Sequence, residues 1–283
     1  MPRFREKRRQ SQNLGASGKT GCVREPRKPY FLAVHKNEAV MSQYYDLVPL
    51  DVYDETIVGH PYIDACNASL LYHLLLSLEY QTMGKHVLDI GTGTGQVVRL
   101  LRGVPGLKVS AQDKAPESAA YFQSHPELQK IPFHLFNAVR GAFPSHFDVI
   151  TCRGVLHHIP KSQRVTFLSN MLRHADHVII ADEAVANYQS EQERIAHCRE
   201  WYGFVIKESR RRGLNELAEV ESKFLAYDVS AAHDDEMDFK EDLPHIRADI
   251  EAAGGWISHT HIYGPWKSYQ GGFYTVCASR EQG

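Results

Sequence analysis

The chain has little of what cross-links or anchors a protein. Its cysteines are few, odd in number and widely spaced, at Cys22, Cys66, Cys152, Cys198 and Cys277, and none sits in a C-x-x-C pair. That excludes a disulfide framework and a zinc ribbon, and makes a reducing cytoplasm the expected setting. No apolar run reaches the ~20 residues that span a bilayer, and the longest candidate, Leu70 to Leu78, is interrupted by Tyr72, His73 and Ser77. No membrane insertion is expected. Histidine is plentiful, yet no H-E-x-x-H or similar ligand spacing occurs, and His259 and His261, two apart on one strand face, are too few for a metal site. No metal is expected. Internal repeats are also lacking.

Net charge is small as well, at −2, but the total hides an asymmetry. Residues 1–28 hold nine Lys and Arg against Glu6 and Glu25, a charge of +7, which leaves −9 for the remainder. A basic segment so poor in apolar residues cannot bury enough surface to order itself, so residues 1–40 are expected to be a disordered tail. Three readings of it stay open: a solvated tail, a nucleic-acid or targeting extension, and a consequence of start-site choice, since organised sequence begins at Met41. For the folded part, a net negative charge argues against a nucleic-acid partner. The whole chain, 43% hydrophobic and 23% charged over 283 residues, has an ordinary globular composition and the length for one large domain with a helical appendage.

What is present converges on one stretch. An apolar strand, Val87 to Ile90, runs directly into Gly91-Thr92-Gly93-Thr94-Gly95-Gln96. Glycines at alternate positions let the backbone turn sharply and let a ligand approach main-chain N–H groups that a Cβ would block. A dinucleotide-binding turn reads G-x-G-x-x-G/A and seats a pyrophosphate. Here the third glycine comes one residue early, and Gln96 stands where that pattern wants Gly or Ala. Asp89, just before the turn, would repel a pyrophosphate but suits a ligand carrying an ammonium group. Asp113 lies twenty-two residues after Gly91 at the end of a second strand, where its two oxygens match a pair of ribose hydroxyls.

Strands and helices alternate along the chain. Helical spacing over Pro61 to Leu78 precedes a strand at His86 to Ile90, a helix from Gln96 to Arg102, a strand at Leu107 to Gln112 and a helix with Pro116 in its first turn. Strands near Ile131 to Phe136 and Phe147 to Cys152 follow, then a helix from Ser162 to Arg173 and a strand from His177 to Ala181 that ends at Asp182-Glu183. A long polar helical stretch, Gln189 to Ala226, comes next. Phe239 to Ala253 reads as helix closed by Gly254-Gly255, and Trp256 to Tyr263 and Gly272 to Ser279 read as two closing strands. The expected fold class is α/β: a Rossmann-like, doubly wound, seven-stranded sheet, mostly parallel with a reversed last strand. The expected organisation is a tail (1–40), a helical cap (41–80), a core (81–186), a helical lid insert (187–238) and a closing helix and hairpin (239–283).

Asp89 followed by Gly91, Gly93 and Gly95 resembles the first motif of class I S-adenosylmethionine-dependent methyltransferases. Val155-Leu156-His157-His158, after the fourth strand, resembles the small-molecule and quinone-type branch of that family. The resemblance implies S-adenosylmethionine as cofactor, its methionine part wrapped by the glycine turn. It places Asp89, Gly91, Thr92, Gly93, Gly95, Asp113, Lys114, Asn137, Ala138, Arg153 and Tyr44 on the cofactor side. Tyr44 and Tyr45 resemble tyrosines that cover the cofactor, and are equally readable as core aromatics. Two positions depart from the family pattern. Asn137 stands where an aspartate is common, its carbonyl oxygen still able to accept from an adenine amine. His174-Ala175-Asp176 replaces a Pro-Gly-Gly turn. No N-P-P-Y stretch follows the fourth strand, which counts against the branch that methylates amines of nucleic-acid bases or glutamine.

The implied reaction is displacement at a sulfonium methyl, in which the protein chiefly aligns the reactants. Where the nucleophile needs deprotonation, His157 and His158 are base candidates, with Asp182 and Glu183 as alternatives. A small-molecule acceptor methylated at oxygen or carbon is the expected function. Methylation of tRNA or protein stays open on the strength of the basic tail. So does non-methylating use of the same fold, as carboxy-S-adenosylmethionine chemistry, which Gly213 before Leu217 faintly resembles, or as a regulatory module. Trp201, Tyr202 and Phe204 read as core, or else as the lining of an apolar pocket. Arg210-Arg211-Arg212 reads as a solvated face.

Overall fold

The computed structural model describes residues 47–230, 239–265 and 271–280, with the side chains of residues 227–230 left aside. The expected tail, Tyr44 and Tyr45 lie outside the described residues. Seven strands, β1 (His86–Ile90), β2 (Lys108–Asp113), β3 (Phe133–Leu135), β4 (Phe147–Arg153), β5 (Ala175–Ala184), β6 (Gly255–Tyr263) and β7 (Gly272–Arg280), form one sheet in the order β3-β2-β1-β4-β5-β7-β6. Strand β7 runs antiparallel to both of its neighbours, and β1 to β5 pair in parallel. This is the sheet that the strand pattern predicts.

Parallel strands covered on both faces must be apolar on both, and β1 shows why His86–Ile90 reads as a continuous run. Val87 and Leu88 are each 0% exposed. Val87 packs with α2 (Ile63–Ser77) and α3 (Gln96–Arg102), and Leu88 packs on the opposite face with α5 (Lys161–His174), as a period of two requires. The remaining helices are α1 (Leu50–Ile57), α4 (Pro116–Ser124), α6 (Glu191–Arg211), α7 (Asn215–Ser230) and α8 (Leu243–Ala252). Local chemistry sets several of their ends. Pro116 opens α4, the Ser190 hydroxyl accepts the Glu193 N–H at 3.3 Å at the start of α6, and the Asp242 carboxylate accepts the His245 N–H at 3.0 Å at the start of α8.

Three of the boundaries that differ from the sequence expectation bear on the site. The polar helical stretch is two helices, α6 and α7, because Gly213 takes a φ of +77° between them. Residues Phe239 to Asp242 are not helical; α8 begins only after the Asp242 cap, with Pro244 in its first turn. Strand β5 runs to Ala184, past its expected end at Ala181, because β7 continues the ladder through Asp182–Tyr274, Glu183–Phe273 and Ala184–Gly272. The departure at His174-Ala175-Asp176 is resolved without a turn, since α5 ends at His174 and β5 begins at Ala175.

The four described cysteines are buried, with free thiols. Among the described residues no helix is long and apolar enough to cross a membrane, and no three His, Cys, Asp or Glu side chains are placed to hold a metal ion. Arg211 pairs with Glu208 on an exposed helix face. Trp201 is a core residue, 1% exposed and set edge-on to Phe273 at 5.5 Å. Truncating Trp201→Ala should cost about 3–5 kcal/mol of unfolding free energy. Urea denaturation would show this as a lower midpoint with little change in slope.

Candidate active site

The glycine turn is tight at two of its three glycines and open at the third. A Cβ on Gly91 (φ +63°) would sit 2.4 Å from Val155, and one on Gly95 (φ +80°) 2.8 Å from the Phe122 ring. Gly93 (φ +53°) would meet nothing within 4 Å. Its backbone therefore borders empty space at the carboxyl end of β1, where open α/β sheets bind ligands. The Asp113 carboxylate ties the turn to the end of β2, accepting the Gly93 N–H at 2.9 Å on one oxygen and the Ala115 N–H at 3.0 Å on the other. Burial pushes Asp113 above the ordinary carboxylate range, against the pull of these N–H groups.

Asp89 lies beneath the turn, 1% exposed, with the Thr151 hydroxyl donating to it at 2.8 Å. Burial is the larger influence and pushes its carboxyl up to about 6. Arg153, at the end of β4, donates to Asn67 of α2 at 2.6 Å and to Gln96 of α3 at 2.9 Å. Asn137 uses its side-chain carbonyl locally, accepting the Val139 N–H at 2.9 Å, so the acceptor expected to meet an adenine amine already holds its own turn. Thr92 and Ala138 are buried beside these groups, and Lys114 directly follows Asp113.

Past Arg153 opens a cavity of about 680 Å³, its mouth included. Tyr53 and Ile57 of α1, His60, and Ile63 and Cys66 of α2 form its cap side. Tyr202 of α6 with Glu221 and Phe224 of α7 form its lid side. His157, His158, Asp182, Glu183, Lys240 and Phe273, with Gly154 and Ala181, complete the lining. Within it His157 Nδ1 lies 2.6 Å from Asp182 Oδ1, and the His157 backbone N–H donates to Asp182 Oδ2 at 3.2 Å. Burial raises the Asp182 carboxyl, but the charge and hydrogen bond of His157, with the Glu183 N–H and nearby His158, outweigh it and hold Asp182 below its usual range. An ionised Asp182 has no proton to give. Nδ1 of His157 therefore carries a hydrogen whether the ring is charged or neutral, which leaves Nε2 as the nitrogen able to exchange a proton. The His158 ring stands 3.9 Å from that of His157.

A second charged group faces the same cavity. Lys240 Nζ lies 3.2 Å from Glu183 Oε2 and donates to the Tyr202 hydroxyl at 3.2 Å. Across from it His60 Nε2 is 3.4 Å from Glu183 and 3.7 Å from Glu221. Burial lowers the basicity of His60, although Glu183 opposes this. Glu183, one of the alternatives for a base, is thus charge-paired, while Asp182 serves His157. Tyr202 lines the cavity, whereas Trp201 does not. His60, Tyr53, Glu221 and Lys240 are cavity residues that the sequence analysis does not single out. The signal available for Lys240 is the helix-start pattern Asp242 to Pro244, which leaves the residues before it extended.

Comparison with known proteins bears on this geometry directly. Residues 87–177 match the family model of a methyltransferase domain, a segment running from β1 into β5. An uncharacterized methyltransferase from Anoxybacillus flavithermus is 27% identical over 177 residues, 59% of this chain and 74% of that protein. These matches identify the chain as a methyltransferase, with residues 87–177 as its methyltransferase domain. A ubiquinone biosynthesis O-methyltransferase from Thiobacillus denitrificans is 33% identical over 81 residues, which covers 27% of this methyltransferase and 34% of that relative. Magnesium protoporphyrin IX methyltransferase from Synechocystis, crystallised with bound SAH, shares the fold at a TM-score of 0.56 and 15% identity, over 86% of this chain and all of that one.

The residues present fit S-adenosylmethionine, the cofactor expected from the glycine turn. The open side of Gly93 supplies the cradle that a Cβ would narrow. Asp89 and Asp113, the carboxylates expected to meet an ammonium group and ribose hydroxyls respectively, stand at the ends of β1 and β2 beside the turn. If Asp89 acts on that ammonium, binding of the demethylated product S-adenosylhomocysteine should weaken as the carboxyl protonates. Calorimetry should then show affinity falling by about tenfold between pH 7 and pH 5. Asp89→Asn should bind weakly at both pH values, and a flat profile in the unsubstituted protein would count against this role.

Proposed function

We propose that this methyltransferase methylates an oxygen, or an acidic carbon, of a small-molecule acceptor held in the cavity, with His157 as general base and Asp182 as its orienting partner. The observation that carries the reading is the 2.6 Å contact between His157 Nδ1 and an ionised, fully buried Asp182. S-Adenosylmethionine supplies an electrophilic methyl group. The protein's task is to align an acceptor atom with it and to remove the acceptor's proton. Alignment can lower a barrier by roughly 7–11 kcal/mol. Asp182 fixes the ring orientation and tautomer of His157 and stabilises the imidazolium that forms when Nε2 takes a proton.

A hydroxyl or activated carbon needs such a base, which is why the dyad favours these acceptors. A cavity of this size suits a small molecule, and the O-methyltransferase named in ubiquinone biosynthesis supports the same class. His157 is favoured over His158 because Asp182 bonds to its ring nitrogen. Methyl transfer from labelled S-adenosylmethionine to a panel of phenols, catechols and hydroxyquinones tests the acceptor class. On any acceptor found, His157→Ala and Asp182→Asn should each lower kcat by about 10²- to 10⁴-fold. Both should leave S-adenosylhomocysteine affinity nearly unchanged. Equal losses in turnover and affinity would assign the dyad to packing, and labelling of tRNA or protein alone would overturn the acceptor class.

A further inference from the structure

One carboxylate of the cap is committed to the cofactor side of the core. Asp54 of α1 accepts from the Thr94 hydroxyl at 2.6 Å, from Gln96 Nε2 at 3.2 Å and from the Tyr121 hydroxyl at 2.9 Å, and Arg99 Nη1 reaches it at 3.3 Å. Those four donors come from three places: the glycine turn, the first turns of α3, and α4. Thr94 is held twice, because Arg99 Nη1 also donates to its carbonyl at 2.9 Å. Gln96 passes the restraint on through Arg153 to Asn67 of α2. Burial raises the Asp54 carboxyl, but these hydrogen bonds and the Arg99 charge outweigh it and hold it in the ionised range. An amide in its place would turn donors toward donors.

Two other residues of α1, about one turn apart, border a different space. Tyr53 and Ile57 line the cavity in which the acceptor is proposed to bind. One short helix is therefore clasped to the glycine turn and also forms a wall of the second site.

We infer that Asp54 is a positioning residue for S-adenosylmethionine: by clasping α1 to Thr94 and Gln96 it sets the turn whose Gly93 borders the ligand space, and it couples cofactor binding to the cavity wall. The cofactor part needs no acceptor, so it stands or falls apart from the proposed reaction; only the meaning of the cavity wall rests on that reading.

Calorimetry with S-adenosylhomocysteine on the full chain tests it. Asp54→Asn should weaken binding by about tenfold or more, the effect of losing hydrogen bonds to a charged acceptor. Tyr121→Phe keeps the ring and removes one donor to Asp54 at a distance from the turn, and should weaken binding by a few-fold. In the Asp54→Asn background the same change should add nothing. Hydrogen exchange should show S-adenosylhomocysteine slowing the amides of residues 50–57 in the unsubstituted protein and not in Asp54→Asn. Affinities within about twofold of the unsubstituted protein, additive losses in the double variant, or protection of α1 that survives Asp54→Asn would each overturn the inference. Should Asp54→Asn fail to fold, Tyr121→Phe decides it.

Discussion

The site depends on β7 running antiparallel into the slot between β5 and β6. Backbone groups beyond Ala181 have to be paired somewhere, and β7 pairs them through Ala184. That extension turns two acidic residues, which would otherwise sit in a loop, into consecutive members of a strand. Side chains of a strand alternate in direction, so Asp182 goes to His157 while Glu183 goes to Lys240 and His60. One backbone constraint thus divides two adjacent carboxylates into two sets of partners on the same cavity. A site built on a strand is held more narrowly than one built on a loop, and the dyad needs that.

The same logic explains the four residues before α8. Phe239 donates its N–H to the His157 carbonyl, Val185 donates to the Glu241 carbonyl, and Arg194 donates to the Lys240 carbonyl at 3.3 Å. Arg164, 1% exposed, bonds the Phe239 carbonyl and reaches Glu241 at 3.1 Å and Asp249 at 3.0 Å. Tyr188 also donates to Glu241. A segment without regular structure is therefore fixed at several of its polar groups, and its product is a Lys240 side chain, 1% exposed, delivered into the cavity.

How much of this was legible follows from the range of the interactions. The glycine turn, Asp113 and the seven strands rest on local spacing and on periods of two and 3.6 residues, and these are written within a few consecutive positions. Asp113 shows the limit of such reading: its position at the end of β2 is evident from spacing, its bond to Gly93 is not. Strand β5 looked shorter than it is because Asp182-Glu183 reads as a polar end, and only the pairing with Tyr274 and Phe273, some ninety residues later, shows otherwise. Asp54 and Lys240 look like solvated charges in sequence. Their partners, Thr94 and Tyr121 for one and Glu183 and Tyr202 for the other, lie forty or more residues away, except Tyr202 at thirty-eight. No local pattern encodes such a contact.

Buried charge of this kind is poorly explained by stability. Desolvating an ion pair costs several kcal/mol per ion, and an apolar replacement of equal volume is often neutral or stabilising. Lys240 with Glu183, and His157 with Asp182, both face a cavity instead of packed side chains. An apolar pair there would close the same space more cheaply and leave nothing to orient an acceptor. What the ionic pairs contribute is position: each polar atom at the wall has one direction set by its partner, so an acceptor entering the cavity meets groups already aimed. The helix that carries Asp54 extends that argument to the cofactor side. Its carboxylate orders the turn, and its Tyr53 and Ile57 form the wall, so the two halves of the site share a rigid element and their geometries are not independent.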